Sequence, residues 1–248
     1  MQNQQNQEEQ KQKNKSLFVV SSAIHANHGV YKTEERLAQT IETCKSIRER
    51  VKDCDIILLD GGTKDISEEE QKQLDPHIQH FYSYADSDNV KEVQKSKNWD
   101  IVKNLIEIMM FGDYFGTNKD SLRTDYSRIF KMSGRYTLND NFDYDRHMNA
   151  KEKILIRGLF TSQFPSQVTG GIGTQYMSRL WSFDSKLIDY ISAVYEAMFM
   201  HIRQRLTEGG YVDIEHLLCY HLDHNLVEIV SKMGLQGNIA PNGQGVSD

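Results

Sequence analysis

Apolar residues in this chain cluster in short unbroken runs, and between the runs they recur every three or four positions. "SLFVVSSAI" (16–24) and "DIILLDGG" (55–62) are runs bounded by polar or glycine residues, as expected of strands buried on both faces. "IQHFYSY" (78–84) and "SRIFKMSG" (127–134) read the same way. Leu37, Ile41, Cys44, Ile47 and Val51 keep helical spacing. Thr33 serves as N-cap ahead of Glu34 and Glu35, whose charge suits a helix N-terminus, so the pattern predicts a helix over 33–52. "ISEEEQKQL" is helical in character, and Trp99, Val102, Leu105, Ile106 and Met109 form the inner stripe of a further helix. This alternation predicts an α/β fold, a central mostly parallel sheet flanked by helices. Ligands in such sheets lie beyond the carboxyl ends of the strands. Ser22-Ala23-Ile24, Asp60-Gly61-Gly62 and Ser133-Gly134-Arg135 should therefore converge on one crevice.

After residue 150 the pattern loosens. "KILIRGLF" and "RLWSFD" read as strands, and Leu187, Ile191, Val194, Met198, Ile202 and Leu206 mark one long helix. Two shorter helices are expected over about 212–222 and 225–233. Residues 1–15 are rich in Gln and Asn with no apolar residue beyond Met1, a composition that cannot bury a core and predicts a disordered tail. Residues 237–248 read as a Gly-rich flexible tail. One domain over 16–236 is expected, with a first half to about 145 and a second from 146.

Composition narrows the function. The chain has 248 residues with a formal net charge of −6, which argues against a sequence-independent nucleic-acid binder while allowing a local basic pocket. Three cysteines, Cys44, Cys54 and Cys219, lack disulfide-like spacing and read as reduced. No apolar run of membrane-spanning length occurs, so a soluble, cytoplasmic protein is expected.

Candidate chemistry gathers at the strand ends. Asp60 before two glycines can present a carboxylate while the backbone approaches a ligand, or can simply cap a turn. Neither G-x-G-x-x-G after the first strand nor G-x-x-x-x-G-K-[ST] occurs, and Gly170-Gly171-Ile172-Gly173 reads as a turn. Arg135 offers a planar fork suited to phosphate oxygens, or else a salt bridge to Asp140 or Asp143. Lys131 alternates with apolar neighbours and is expected to face solvent. His25 and His28 flank the first strand end. His216, Cys219, His221 and His224 are zinc-ligand types, but their spacing on a helix does not bring all four together. Asp213 and Glu215 open the last clear helix, as favourable partners of its N-terminus or as a general base.

In order, "FVVSSAI", "ERLAQTIETCKSIRER", "DIILLDGG", "KSKNWDIVKNLIEIM" and "RIFKMSGRYTLNDNF" resemble small glycosyltransferases of the GT-A type, as found in large DNA viruses, phages and bacterial surface-polysaccharide clusters. The resemblance covers about 16–145 and extends loosely to "DIEHLL". It implies a Rossmann-like GT-A fold and transfer of a hexosyl or pentosyl unit from a nucleoside-diphosphate sugar, UDP by default, to an acceptor hydroxyl. The acceptor would be a glycan, or lipid-linked or protein-linked, met in the cytoplasm (the host's, for a viral protein).

Carried over, Ser22 and Ala23 line the base and ribose pocket, Arg36 approaches the nucleotide and Asp60 contacts the base. Lys95 or Lys97 lies near the phosphates. Most such enzymes carry Asp-x-Asp at the fourth strand tip to hold Mn²⁺ or Mg²⁺; here the triplet is Ser133-Gly134-Arg135. That departure implies that Arg135 stabilises the departing diphosphate without a metal, while Asp140 and Asp143 keep a metal-dependent version open. Glu215 is the expected base and Asp213 the second choice, with retention of configuration left open. Tyr136 and Trp181 are candidates to stack on a sugar. A sugar-phosphate nucleotidyltransferase and a non-catalytic nucleotide- or carbohydrate-binding module remain the other readings.

Overall fold

The computed structural model describes residues 15–96, 99–239 and 243–248; residues 1–14 of the predicted N-terminal tail, Lys97 and the side chain of Trp99 lie outside the described residues. The first strand, β1 (Ser16–Ser22), is buried along its whole length. It pairs in parallel with β2 (Cys54–Asp60), Ser22 opposite Asp60, and with β4 (Arg128–Ser133), Ser21 opposite Ser133. β3 (His80–Ser83) adds to β2 in parallel. Beyond β4 the direction reverses: β7 (Thr174–Asp184) runs antiparallel to β4 and to β6 (Ile154–Thr161), and β8 (Val227–Val230) closes the edge parallel to β6. The seven-stranded order is β3-β2-β1-β4-β7-β6-β8. A small second sheet joins β5 (Tyr136–Leu138), β9 (Leu235–Asn238) and β10 (Gly245–Ser247).

Strand alternation sorts the core into two layers. Phe18, Val20, Ile56, Leu58, Phe130 and Met132 face α1 (Thr33–Arg50), with Phe18 and Phe130 stacked at 4.3 Å between ring centroids. Leu17, Val19, Ile57, Leu59 and Ile129 face the other layer, built on α4 (Trp99–Thr117) and α7 (Ile188–Thr207). The shorter helices are α2 (Glu68–Leu74), α3 (Asp88–Gln94), α5 (Lys119–Asp125), α6 (Tyr144–Asn149) and α8 (Ile214–His221). Among the described residues no helix is long and apolar enough to cross a membrane.

Three expectations are corrected. The helix expected near 225–233 is β8, because Val227, Ile229 and Val230 are β-branched and extend the sheet along β6. Much of the expected C-terminal tail is ordered: β9 and β10 pair with each other, and the Asp248 carboxylate accepts from the Gly234 and Leu235 amides and meets Arg157 at 2.8 Å. Lys131 is fully buried, because its position alternates with Phe130 and Met132 and so points toward α4, where a carboxylate awaits it.

Candidate active site

A cleft of about 410 Å³ opens at the carboxyl ends of β1 and β4, walled by α4, the middle of β7 and the start of α8. Its geometry begins with Asp60, which is 1% exposed. Asp60 Oδ1 accepts from Ser22 Oγ at 2.6 Å and from the Ile24 amide at 2.9 Å, and Oδ2 accepts from the Gly62 amide at 3.0 Å. With its oxygens engaged, Asp60 shapes the rim; the expected contact with a base is corrected, since the carboxylate is out of reach. Burial raises the Asp60 carboxyl, and the three donors oppose that rise.

Arg36 acts similarly on the loop after β1. Its fork donates to the carbonyls of Tyr31, Ala23 and His28, the last at 2.6 Å, while the side chain still borders the cleft. Burial and then the neighbouring Arg135 lower its pKa.

At the β4 tip the chain turns sharply. The Gly134 amide donates to the Ser21 carbonyl at 2.8 Å, and a Cβ on Gly134 would sit 2.9 Å from that same oxygen. Only glycine lets the β4 tip lie this close to β1, and it delivers Ser133 and Arg135 to the cleft. Arg135 and Arg179 of β7 both lie over the Tyr136 ring, at 5.9 and 5.6 Å. Among the described residues, Arg135 Nε is buried without a hydrogen-bond partner. Neither carboxylate offered by the sequence answers it: Asp140 pairs with Arg50 at 2.9 Å, and Asp143 caps α6 through the Arg146 amide.

The opposite wall is acidic. Asp213 caps α8, accepting from the His216 amide and, at 2.9 Å, from the Tyr211 hydroxyl. His216 Nδ1 meets the same carboxylate at 2.5 Å and its Nε2 lies 2.8 Å from Ser162 Oγ. This has the order of a Ser-His-Asp triad, but His216 is fully buried and neither it nor Ser162 borders the cleft. The arrangement braces Asp213 and the 162–173 loop. Burial alone would raise Asp213; its bonds to His216 bring it below its ordinary value. Glu215, one residue into the same helix, accepts from Ser178 Oγ at 2.5 Å. Burial and then the Asp213 charge raise its pKa.

Ser22, Ala23, Arg36, Ser133, Arg135, Tyr136, Asp213 and Glu215 thus border one cleft. Other expectations do not hold. Trp181 is fully buried in the core. Tyr136 is 2% exposed and carries two guanidiniums, so it supports arginines rather than a sugar. Lys95 lies on the surface beside Glu92, and Gln94 borders the cleft instead. His25 borders the cleft while contacting Glu70 at 3.0 Å. The four zinc-type residues reach separate partners: His216 to Asp213, Cys219 to Thr174, His221 to His201 and His224 to Tyr176.

Sequence reasoning missed Lys103 and Glu107 on α4 and Ser178 and Arg179 on β7, all bordering the cleft. Glu107 did carry a signal, as the single charged residue in "NLIEIMMFG".

This architecture, four parallel strands continued by a reversed strand and flanked by helices, is the GT-A Rossmann-like fold. Among solved structures the chain is similar to core-mannan synthase A from Aspergillus fumigatus, crystallised in an Mn/GDP form. The TM-score is 0.54 at 14% identity, covering 91% of this chain and 74% of that one. That likeness is one of fold. No protein-family model matches the chain, and no curated protein matches it.

Proposed function

We propose that the chain is a glycosyltransferase that moves a sugar from a nucleoside-diphosphate sugar to an acceptor hydroxyl, with Arg135 serving where many enzymes of this fold use a metal. The observation that carries the proposal is Arg135 at the β4 tip, its Nε buried and unpartnered, in a cleft whose far wall presents Glu215. Arg36, Lys103 and Arg179 add positive charge to the same cleft, which suits a diphosphate.

The reaction follows from these groups. Glu215 Oε1 is held by Ser178, leaving Oε2 to take the proton of the acceptor hydroxyl. The acceptor oxygen then attacks the anomeric carbon as the carbon–oxygen bond to the diphosphate breaks. The electron pair leaves with the diphosphate, where Arg135 stabilises it. A base whose pKa is raised by burial and by Asp213 is well matched to this work near neutral pH. In this form the enzyme inverts configuration.

The fungal neighbour was crystallised with Mn and GDP, so a metal has to be weighed. The residues at the equivalent tip do not fit a divalent cation: Ser133, Gly134 and Arg135 include no carboxylate, and the guanidinium would repel it. Asp140 and Asp143 are committed to Arg50 and to the α6 cap. Calorimetric titration with UDP and GDP, first in EDTA and then with Mn²⁺, tests the reading. Binding of one diphosphate in EDTA supports it. Binding only with Mn²⁺ removes the role given to Arg135, and no binding under either condition overturns the nucleotide-sugar reading.

A further inference from the structure

Beneath the cleft lies a fully buried ammonium. Lys131 Nζ contacts Glu107 Oε1 at 2.5 Å and donates to the Ser178 carbonyl at 2.8 Å and to Ser133 Oγ at 3.1 Å. Its three N–H groups are therefore spent on three elements: α4, β7 and the β4 tip. Glu107 Oε1 also accepts from Ser21 Oγ at 3.2 Å, tying in the end of β1. Burying an ammonium is costly unless every donor is satisfied, and an apolar residue would fill an interior strand position without that cost. The charge is thus retained at a point where it touches both walls of the cleft.

The contacts have directional consequences. Ser133 Oγ accepts from Lys131, so its own hydroxyl hydrogen is turned away from the ammonium, toward the cleft that Ser133 borders. Ser178 is held at both ends: its carbonyl by Lys131, and its hydroxyl by Glu215 Oε1 at 2.5 Å.

We propose that Lys131 is a positioning residue for the transfer: it sets the Ser133 hydroxyl as a donor toward the diphosphate and, through Ser178, orients Glu215 to take the acceptor's proton. This rests on the transferase reading above. One buried cation then couples the side of the cleft where charge departs to the side where the proton is taken. Among the ionisable groups bordering the same cleft, Asp213 at the cap of its helix and Glu107 on α4 raise the Glu215 pKa, and Lys103, Arg135 and Arg179 bring positive charge. The bond from Ser178 favours the ionised form of Glu215, while the charge of Glu107 disfavours it.

The test compares wild type, Lys131→Met and the double variant Lys131→Met/Glu107→Gln. The single variant strands a half-buried carboxylate and is expected to lose thermal stability. The double variant removes an ion pair with no net change of charge and is expected to fold. Two readouts apply: calorimetric affinity for UDP and GDP, and kcat and KM for release of nucleoside diphosphate from UDP-glucose and GDP-mannose.

The double variant is expected to bind the diphosphate within a few-fold of wild type. Its kcat should fall by about 100-fold with KM little changed, the scale of a misplaced catalytic group. A double variant with wild-type kcat would show that Lys131 only neutralises Glu107, and would overturn the proposal. A wild-type protein that binds neither diphosphate counts against the transferase reading itself. Intact binding with an unmoved kcat in the double variant counts against Lys131 alone.

Discussion

Replacing Arg135 by alanine removes the cation at the β4 tip while leaving the core alone. A guanidinium fork on a diphosphate supplies two charge-assisted hydrogen bonds, each worth about 1.5–3 kcal/mol. Arg135 is partly exposed, so water screens part of that, and about 2–4 kcal/mol for the pair is the reasonable figure. In affinity this is a loss of about 30- to 700-fold. The cost to folding is small. The cation–π contact with Tyr136, about 0.5–1 kcal/mol, is lost. Against that, a buried Nε without a partner disappears and repulsion with Arg36 is relieved. The melting temperature should stay within about 2–4 °C of wild type, so lost binding reports the site and not unfolding. The assay is calorimetric titration with UDP and GDP in EDTA, with Arg135→Lys beside it. Lysine keeps the charge but not the fork and should fall between the two. A Kd unchanged in the alanine variant at unchanged melting temperature would refute the role given to Arg135.

Other outcomes follow from the same site. Because the Glu215 pKa is raised, keeping it ionised costs folding stability above its folded pKa and nothing below the ordinary glutamate range. Glu215→Gln should therefore melt higher than wild type at pH 8, with the gap closing in acid; an unchanged gap across that range contradicts the assignment. The same shift places the acid limb of kcat/KM above the ordinary glutamate range, with the rate rising as pH rises through it, as a pH–rate profile would show. Asp60→Ala strands three donors around the rim and should cost about 2–4 kcal/mol in urea unfolding, with weaker diphosphate binding as the β1 loop loosens. Gly134→Ala forces a Cβ against the Ser21 carbonyl and should cost about 1–3 kcal/mol, read by the same unfolding assay.

The strands that carry the cleft were plain in the sequence because β1, β2 and β4 are buried on both faces and read as apolar runs. Their convergence at Ser22, Asp60 and Ser133 followed from parallel pairing alone. What stayed hidden was the direction and full length of the return strands, whose segments the sequence marks only as further strands. "RLWSFD" covers only the second half of β7, so Ser178 fell outside the expected strand, and a strand assignment alone does not say that Arg179 borders the cleft. Lys131 was misread because alternation assigns a face but not what covers it; α4 brings Glu107 to the face that solvent was expected to occupy. Asp60 was given a ligand for the opposite reason. A carboxylate before two glycines has the same sequence whether its partners are a nucleotide or the backbone amides of Ile24 and Gly62. β8 was assigned to a helix because four residues are too few to separate the two periods.

The reaction proposed for this cleft breaks the bond between a sugar and a nucleoside diphosphate, using Glu215 against Arg135. Its most direct test is nucleoside diphosphate release from UDP-glucose and GDP-mannose, in EDTA, by wild type and Glu215→Gln. Wild type should release diphosphate from at least one donor. Glu215→Gln should be slower by about 100- to 10,000-fold, the usual worth of a general base, with diphosphate affinity retained. Equal rates from the two proteins, or no release from any donor by wild type, would contradict it.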